Sequence, residues 1–282
     1  MKDSLFQNLD YKDYLINYPI HEFFDIDLNI YGEIEKKTPS LYEGVDSENI
    51  SLYEGVDPEN ITPFSVVLDD LIRLHHLIIS RKVTTILEIG VGKSTKVFDH
   101  ALSINKSKHQ KFVAENLRRT NPFECHSIDN NEEWIDSVKA EFPNLKNTEF
   151  HFCPCEIGTF NSRICTYYND VPNICPDFIY LDAPDQFSVK GAIRGLSTNH
   201  PDRMPMSADI LAIEHFLTPG TLVVVDGRTA NARFLKTNLQ RDWDYWHSKE
   251  YDQHFFELKE EPLGIFNQRQ VEFCLGKDWN TS

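Results

Sequence analysis

Positively charged residues are scarce in this sequence. Its 282 residues include 28 Lys and Arg against 44 Asp and Glu, which gives a formal net charge of −16. Proteins that bind DNA or RNA neutralise phosphates with clustered Lys and Arg, and this composition has no such excess. We therefore expect no nucleic-acid partner.

Long apolar runs are missing as well. No stretch approaches the roughly 18 consecutive apolar residues that a membrane-spanning helix needs. Charged residues interrupt the N-terminus, which lacks the layout of a signal peptide, and these residues are Lys2, Asp3, Asp10 and Asp13. We therefore expect a soluble, cytoplasmic protein without a membrane partner, and the sequence leaves its oligomeric state open, a homo-oligomer included.

Paired cysteine motifs are also lacking. Cys153-Pro154-Cys155 is the closest approach among six cysteines, and none forms a C-x-x-C pair. The two readings of the close pair are a zinc or redox site and ordinary free thiols. We favour free thiols, which suit a reducing compartment.

The first 62 residues differ in composition from the rest, with fourteen acidic and four basic residues. Their aromatic residues argue against plain disorder. Residues 40–50 recur almost letter for letter as residues 51–61. Two copies are too few for a solenoid, so we interpret the duplication as a surface loop, the alternative being a lid that uses Tyr42 or Tyr53. We predict an acidic N-terminal extension over residues 1–62 and an α/β domain over residues 63–282.

The most informative stretch is residues 83–95. It follows a predicted helix that begins at Thr62-Pro63 and ends at Ser80. Val83 to Ile89 is a short apolar run typical of a buried parallel strand. Gly90 and Gly92 can take positive φ and let a ligand lie against the main chain. Ser94 and Thr95 come where the next helix would begin. A strand, a glycine turn and a helix N-terminus together predict a nucleotide pocket.

Two nucleotide motifs compete for this stretch and neither is complete. A P-loop needs a glycine five residues before Gly92, where Leu87 stands. A dinucleotide fingerprint needs a third glycine where Thr95 stands. A P-loop or NAD enzyme is therefore disfavoured.

What remains, Glu88-Ile89-Gly90-Val91-Gly92, resembles the first motif of class I S-adenosylmethionine-dependent methyltransferases. The resemblance implies that S-adenosylmethionine is the cofactor. It also implies cofactor-binding residues in and after the turn, namely Glu88, Gly90, Gly92, Ser94 and Thr95.

Further strand ends follow in the order expected for that family. Residues 123–128 predict a second strand ending at Asp129, whose carboxylate would bind the ribose hydroxyls. The alternative is that Asp129 caps a helix over residues 132–142. Asn105 to Asn121, a polar stretch predicted to be a surface insertion, would explain the long spacing from the glycines. After a third strand at residues 148–153, Glu156 is a candidate adenine neighbour by resemblance, or a plain loop carboxylate.

Residues 178–181 predict a buried fourth strand ending at Asp182. In the resemblance, a carboxylate there faces the reacting methyl group and the acceptor, so Asp182 is our first candidate base and His200 the second. Residues 186–208 lack periodicity and are interpreted as the acceptor-binding loop. Around it we predict substrate-binding residues, which are Asp185, Lys190, Arg194, Arg203 and Arg228.

A helix at residues 209–216 and the turn Leu217-Thr218-Pro219-Gly220 lead to a fifth strand ending at Asp226. This region again resembles the methyltransferase family. Some of its small-molecule O-methyltransferases hold Mg²⁺ between carboxylates at the ends of the fourth and fifth strands, the positions of Asp182 and Asp226. Members commonly place Asn or a second acid after the second carboxylate, where Gly227 stands here. Mg²⁺ is therefore a tentative cofactor.

The rest of the chain predicts a helix at residues 231–239 and three strands at residues 243–248, 254–258 and 270–275. The predicted fold is a Rossmann-like, doubly wound seven-stranded sheet, mostly parallel with an antiparallel last strand. The predicted function is methyl transfer from S-adenosylmethionine to an oxygen, less readily a nitrogen, of a small polar acceptor. Sugars, nucleotide-linked sugars and phosphorylated metabolites are the acceptors considered, with surface-polysaccharide biosynthesis as a setting. The alternative function is a catalytically silent methyltransferase-like scaffold.

Overall fold

A computed structural model describes residues 5–6, 8–28 and 67–279. The chain divides into two compact units, one formed by residues 1–7 and 73–282 and the other by residues 8–72. The duplicated segment, Tyr42, Tyr53 and the predicted helix start at Thr62 lie outside the described residues. The expected boundary after residue 62 lies there too, so it stays a prediction.

Nine strands form the two sheets of the described residues. In chain order they are β1 Thr85–Ile89, β2 Glu124–Asp129, β3 Thr148–Phe152, β4 Cys155–Phe160, β5 Arg163–Tyr168, β6 Phe178–Leu181, β7 Leu222–Asp226, β8 Trp243–Ser248 and β9 Gln253–Leu258. The larger sheet has seven strands in the order β3-β2-β1-β6-β7-β9-β8, and β4 and β5 form a separate pair. In the larger sheet only β9 runs against its neighbours. The predicted Rossmann-like sheet, mostly parallel with an antiparallel last strand, is confirmed.

Helices alternate with most of these strands. The α-helices are α1 Tyr11–Asn17, α2 Leu68–Ser80, α3 Lys93–Asn116, α4 Glu132–Glu141, α5 Asp209–Ile213, α6 Thr229–Asn238 and α7 Ile265–Leu275, with 3₁₀ helices at Ile20–Phe24 and Glu214–Phe216. No helix of the described residues is long and apolar enough to cross a membrane. The helices between parallel strands provide the crossovers that such strands require.

Apolar side chains pack on both faces of the large sheet. Neighbouring residues of a strand point to opposite faces. Leu87 of β1 accordingly joins a buried cluster that contains Leu235 of α6. Ile86 joins a second cluster, with Leu77 of α2 and Phe98 of α3. The central strands are therefore buried on both faces, which explains why their sequences are mainly apolar.

Two predicted elements were wrong. Asn105 to Asn116 is not an inserted loop but the second half of α3, and the Asn105 side chain holds it by donating to the carbonyls of Ile78 and Val83 at 3.0 Å each. The long helix, not an insertion, accounts for the spacing between the glycines and β2. The predicted last strand at residues 270–275 is part of α7. Its buried residues are Asn267, Gln270 and Val271, whose spacing of three and four fits a helix.

The β4–β5 hairpin was not predicted. Asn161 and Ser162 connect its strands and both have positive φ, 48° and 62°. Positive φ at both loop residues is the conformation that joins two twisted antiparallel strands by the shortest turn. The hairpin follows β3 and lies next to the large sheet, because Cys155 and Cys165 belong to the same buried cluster as Leu87.

Candidate functional site

The glycine turn lies at the carboxyl ends of the parallel strands, where α/β sheets bind ligands. Gly90 follows β1 with φ of 109°, and a Cβ placed there would lie 2.8 Å from Cβ of Ala183. The turn therefore packs closely against the chain that follows β6. Gly92 is different, since it is extended with φ of −175° and a Cβ would meet nothing within 4 Å. Open space beside the Gly92 main chain leaves room for a ligand.

Glu88 holds this turn from inside the protein. Its carboxylate accepts hydrogen bonds from the hydroxyls of Ser94 at 2.6 Å, Thr95 at 2.7 Å and Ser127 at 2.5 Å. Thr95 also accepts from the Gly92 main-chain N–H at 3.0 Å. Burial raises the pKa of Glu88 to about 7, against the opposing effect of the hydroxyls.

Glu88 and Thr95 are each 0% exposed and Ser94 is 8% exposed. The structure places the side chains of these three residues in an internal network that fixes the glycine turn, and their binding of a cofactor stays a prediction.

Asp129 ends β2 and reaches the glycine turn. Its Oδ2 accepts from the main-chain N–H of Val91 at 3.1 Å, and its Oδ1 accepts from the N–H of Asn131 at 2.9 Å. Burial raises the pKa of Asp129, and these main-chain hydrogen bonds oppose the rise. The main-chain N–H of Asn130 also interacts with this carboxylate, which can accept about four hydrogen bonds in all and so keeps capacity for a ligand hydroxyl.

The alternative role for Asp129, capping the next helix, is wrong. Asn131 is the N-cap of α4, and its side chain accepts from the N–H of Trp134 at 3.0 Å. The indole of Trp134 in turn donates to the Val91 carbonyl at 2.6 Å. Asp129 therefore binds the main-chain N–H of Val91 and Trp134 binds its carbonyl, so both side chains fix the same residue of the turn.

Residues 183–190, which we call the crossing segment, run from the end of β6 towards β2. Asn130, just after β2, donates to the carbonyl of Ser188 at 3.1 Å and to its hydroxyl at 3.0 Å. Further along, the N–H of Lys190 donates to the Cys155 carbonyl at 2.9 Å. Because β1 lies between β6 and β2, the crossing segment passes the carboxyl end of β1. It therefore bounds the crevice beside the glycine turn.

Arg228 fixes the start of the crossing segment. Its guanidinium donates to the carbonyls of Asp182 at 3.2 Å and Pro184 at 2.6 Å. The side chain is buried, which lowers its pKa, and nearby groups led by Asp182 oppose that effect. Its Nε is buried without a hydrogen-bond partner in the part of the chain that is described. Arg228 was predicted to bind substrate, and its observed contacts are with main-chain carbonyls.

Asp182 and Asp226 end neighbouring parallel strands, as predicted, since Leu181 pairs with Val225. Asp182 is exposed, whereas Asp226 accepts a hydrogen bond from the Tyr180 hydroxyl at 2.7 Å. Burial raises the pKa of Asp226. Among the described residues, neither aspartate belongs to a group of three or more side chains arranged to share a metal ion. Because Mg²⁺ is commonly held by one or two carboxylates with waters completing its octahedron, and the Tyr180 hydroxyl engages one oxygen of Asp226, a Mg²⁺ site at these two residues stays a prediction.

The other predicted residues lie at the surface. Asp185 accepts from the N–H of Phe187 at 2.8 Å in a turn of the crossing segment. Arg203 donates to the carbonyl of Ser197 within its own loop at 2.7 Å. His200 lies 3.8 Å from Asp202. Glu156 is exposed but lies in strand β4, so the alternative of a loop carboxylate is wrong. Lys190 and Arg194 are exposed as well. The structure thus brings Gly90, Gly92, Asp129, Asp182 and Arg228 together and leaves the loop cations in solvent.

Tyr168 and Asp209 belong to this region and were not predicted. The Tyr168 hydroxyl is buried without a partner among the described residues, and Asp209 accepts from the Tyr168 N–H at 2.9 Å. Burial raises the pKa of Asp209 to about 6. The sequence signal for strand β5 was its content of β-branched and aromatic residues between Arg163 and Tyr168.

All six cysteines are free, as favoured from the sequence.

Comparison with known proteins gives one fold neighbour of interest. No family model matches the chain, and no curated protein matches it. The fold is similar to that of the O-methyltransferase from Bacillus cereus, solved in complex with SAH, at 13% sequence identity and a TM-score of 0.40. The match covers 79% of this chain and 96% of that chain.

Proposed function

We propose that this chain is an S-adenosylmethionine-dependent methyltransferase. The observation that carries the proposal is the contact between Asp129 and the Val91 main chain, which brings a carboxylate at the end of β2 to the glycine turn after β1. In open α/β sheets this is where a nucleoside binds, with its ribose on the acidic residue. The open space beside Gly92 would accept the amino-acid end of the cofactor.

When bound, the cofactor would supply the methyl group of its positively charged sulfur to an acceptor oxygen, with a new C–O bond replacing the S–CH₃ bond and S-adenosylhomocysteine as the leaving group. Asp182 takes the acceptor proton, because its carboxylate is exposed at the end of β6 while its main chain is fixed. The Asp182 N–H donates to Ile89 at 2.9 Å, and its carbonyl accepts from Arg228. Holding two reactants in line can supply much of the rate enhancement.

The proposed acceptor is a small polar molecule such as a sugar, a nucleotide-linked sugar or a phosphorylated metabolite. Cations in the exposed loop after β6 support this class, because Lys and Arg bind phosphate and carboxylate groups. They are Lys190, Arg194 and Arg203, all exposed. Surface-polysaccharide biosynthesis is the proposed setting, and oxygen is preferred to nitrogen as the methylated atom.

A silent scaffold with the same fold is the second candidate. Asp129 is only 8% exposed, and the crossing segment is tied to Asn130 by two hydrogen bonds. Both observations limit access to the crevice. They favour a protein that has kept the fold and lost the cofactor.

Calorimetry of the full chain with S-adenosylmethionine and S-adenosylhomocysteine separates the two candidates. The enzyme is expected to bind both compounds. Asn130→Ala removes the hydrogen bonds to Ser188 that hold the crossing segment, so it should change the rate of cofactor association. Transfer of a radioactive methyl group to a panel of sugars, nucleotide-linked sugars and phosphorylated metabolites then tests activity. With an accepted substrate, Asp182→Asn should lose turnover and keep cofactor affinity. If neither compound bound, the result would favour the scaffold and overturn the proposal.

A further inference from the structure

A cluster of metal-ligating side chains lies on the face of β2 and β3, apart from the glycine turn. Parallel pairing aligns His126 with Glu149 and Ile128 with His151. Paired residues of neighbouring strands face the same side of a sheet, and so do residues two apart on one strand. His126, Glu149 and His151 therefore share one face, whereas Phe150 faces α4, where Lys139 lies 5.5 Å from its ring.

The ligand atoms of this cluster converge. Nδ1 of His126 lies 3.0 Å from Nε2 of His151 and 3.6 Å from Oε2 of Glu149. One nitrogen or oxygen from each of the three residues lies within 4.8 Å of the others. Ligands of a tetrahedral zinc ion, with bonds of about 2.0–2.2 Å, are separated by about 3.3 Å. Small side-chain movements are enough to reach that geometry.

A second observation concerns the other nitrogen of His126. Nε2 lies 3.2 Å from Oε2 of Glu124, and the same oxygen accepts from the Asn121 amide at 2.8 Å. An imidazole that binds a metal through one nitrogen commonly donates its other N–H to a carboxylate that is itself hydrogen-bonded. With the proton on Nε2, the lone pair of Nδ1 points to Glu149 and His151.

We propose that His126 Nδ1, His151 Nε2 and a carboxylate oxygen of Glu149 bind a zinc-like divalent cation. Two imidazoles and one carboxylate suit late first-row metals such as Zn²⁺, not Mg²⁺. The Glu149 side chain is 66% exposed while that of His126 is 5% exposed. The cation thus enters from solvent on the Glu149 side, and the fourth position is left to water. Bound there, it links the edge strand β3 to β2.

The second cluster with suitable residues, His247, Asp252 and His254, has a different geometry. Its two imidazole rings lie face to face, with centroids 3.8 Å apart and an interplanar angle of 15°. The rings of His126 and His151 are also nearly parallel, at 17°, but their centroids are 5.2 Å apart and their nearest nitrogens lie 3.0 Å from each other. Nitrogen lone pairs lie in the ring planes, so rings placed face to face at 3.8 Å do not direct them at one ion. Both nitrogens of His254 already lie 3.0 Å from hydroxyls, those of Thr229 and Tyr245. This cluster supplies a matched control.

The test uses the full chain, freed of metal with a chelator and carrying no histidine tag. Titration with Zn²⁺ against a competing coloured chelator should show one equivalent bound by the wild type and by His247→Asn. His151→Asn and Glu149→Gln should bind at least tenfold more weakly. Co²⁺ should give a visible spectrum without a thiolate band in the wild type and lose it in His151→Asn.

Thermal unfolding provides a readout that is independent of the methyltransferase proposal. Zn²⁺ at about 100-fold excess over its dissociation constant should raise the wild-type midpoint by about 5 °C or more and leave His151→Asn unmoved. His151 and Glu149 are used because they are more exposed than His126, so the variants should fold. Equal Zn²⁺ affinity in the wild type and His151→Asn, or loss in His247→Asn instead, would overturn the site. Binding of S-adenosylhomocysteine by His151→Asn should be unchanged.

Discussion

The main-chain N–H of Val91 donates to Oδ2 of Asp129 over 3.1 Å. This bond joins two segments that are 38 residues apart in sequence and that a nucleoside would have to contact together. It fixes the distance between the glycine turn and the carboxylate before any ligand arrives. Pre-organised contacts of this kind reduce the cost of ordering a site on binding.

Asp129→Asn should weaken S-adenosylhomocysteine binding by about tenfold or more without unfolding the protein. The amide oxygen can still accept from Val91, but the charge that strengthens hydrogen bonds to ribose hydroxyls is lost, worth about 1.5–3 kcal/mol. Calorimetry measures the change. Asp136→Asn, at an exposed position of α4, is the control. Equal affinities for all three proteins would remove Asp129 from the cofactor site.

The two glycines of the turn should respond differently to alanine. Gly90→Ala places a Cβ 2.8 Å from Ala183 at a φ of 109°, so it should destabilise the fold by about 2–4 kcal/mol. Gly92→Ala meets no neighbour and should leave urea unfolding nearly unchanged. Its methyl group would instead occupy the space proposed for the cofactor, so affinity should fall. If Gly92→Ala bound the cofactor normally, the ligand would not lie against Gly92.

The central strands could be predicted because burial on both faces leaves a direct mark on the sequence. Val83 to Ile89 is a mainly apolar run rich in β-branched residues, and β1 is buried throughout. Asp129 was also predictable, since a carboxylate at a strand end has a defined place in a parallel sheet. The internal role of Glu88 was not, because Ser127, its partner, lies 39 residues away and burial of a carboxylate leaves no local pattern.

Local sequence patterns also gave a wrong prediction where one segment fits both the two-residue period of a strand and the 3.6-residue period of a helix. Residues 270–275 alternate like a strand, yet the buried positions Asn267, Gln270 and Val271 follow a helical spacing. A segment of six residues is too short to separate the period of a strand from that of a helix. The turn of the β4–β5 hairpin consists of Asn161 and Ser162. Asn is common in such turns, but the glycine that usually follows it is missing here.

Arg228→Met should lower the free energy of unfolding by about 2–5 kcal/mol. The carbonyls of Asp182 and Pro184 would lose the guanidinium that satisfies them, and each unsatisfied buried acceptor costs about 1–3 kcal/mol. Urea unfolding measures the loss. Arg233→Met is the control because Arg233 is exposed on α6, where substitutions usually change stability by less than about 0.5 kcal/mol. Equal stability of the two variants would show that Arg228 does not hold the crossing segment.

Glu88 should make stability depend on pH in a defined direction. Burial raises its pKa from an ordinary 4.5 to about 7, so between these values the folded protein holds a proton that the unfolded chain releases. The free energy of unfolding therefore falls as pH rises through that window, by an amount on the order of 3 kcal/mol. Below the window both states are protonated, and above it both are ionised.

The Glu88→Gln variant isolates this contribution, because its side chain stays neutral at every pH. The stability of the wild type minus that of the variant should decrease from pH 5 to pH 7 and then level off. Asp209 also has a raised pKa, about 6, but it is present in both proteins and its effect cancels in the difference. Urea unfolding at pH 5, 6, 7 and 8 measures it, with Glu133→Gln at an exposed position of α4 as the control. A difference that is flat with pH would mean that Glu88 is already ionised at pH 5, held so by its three hydroxyl donors.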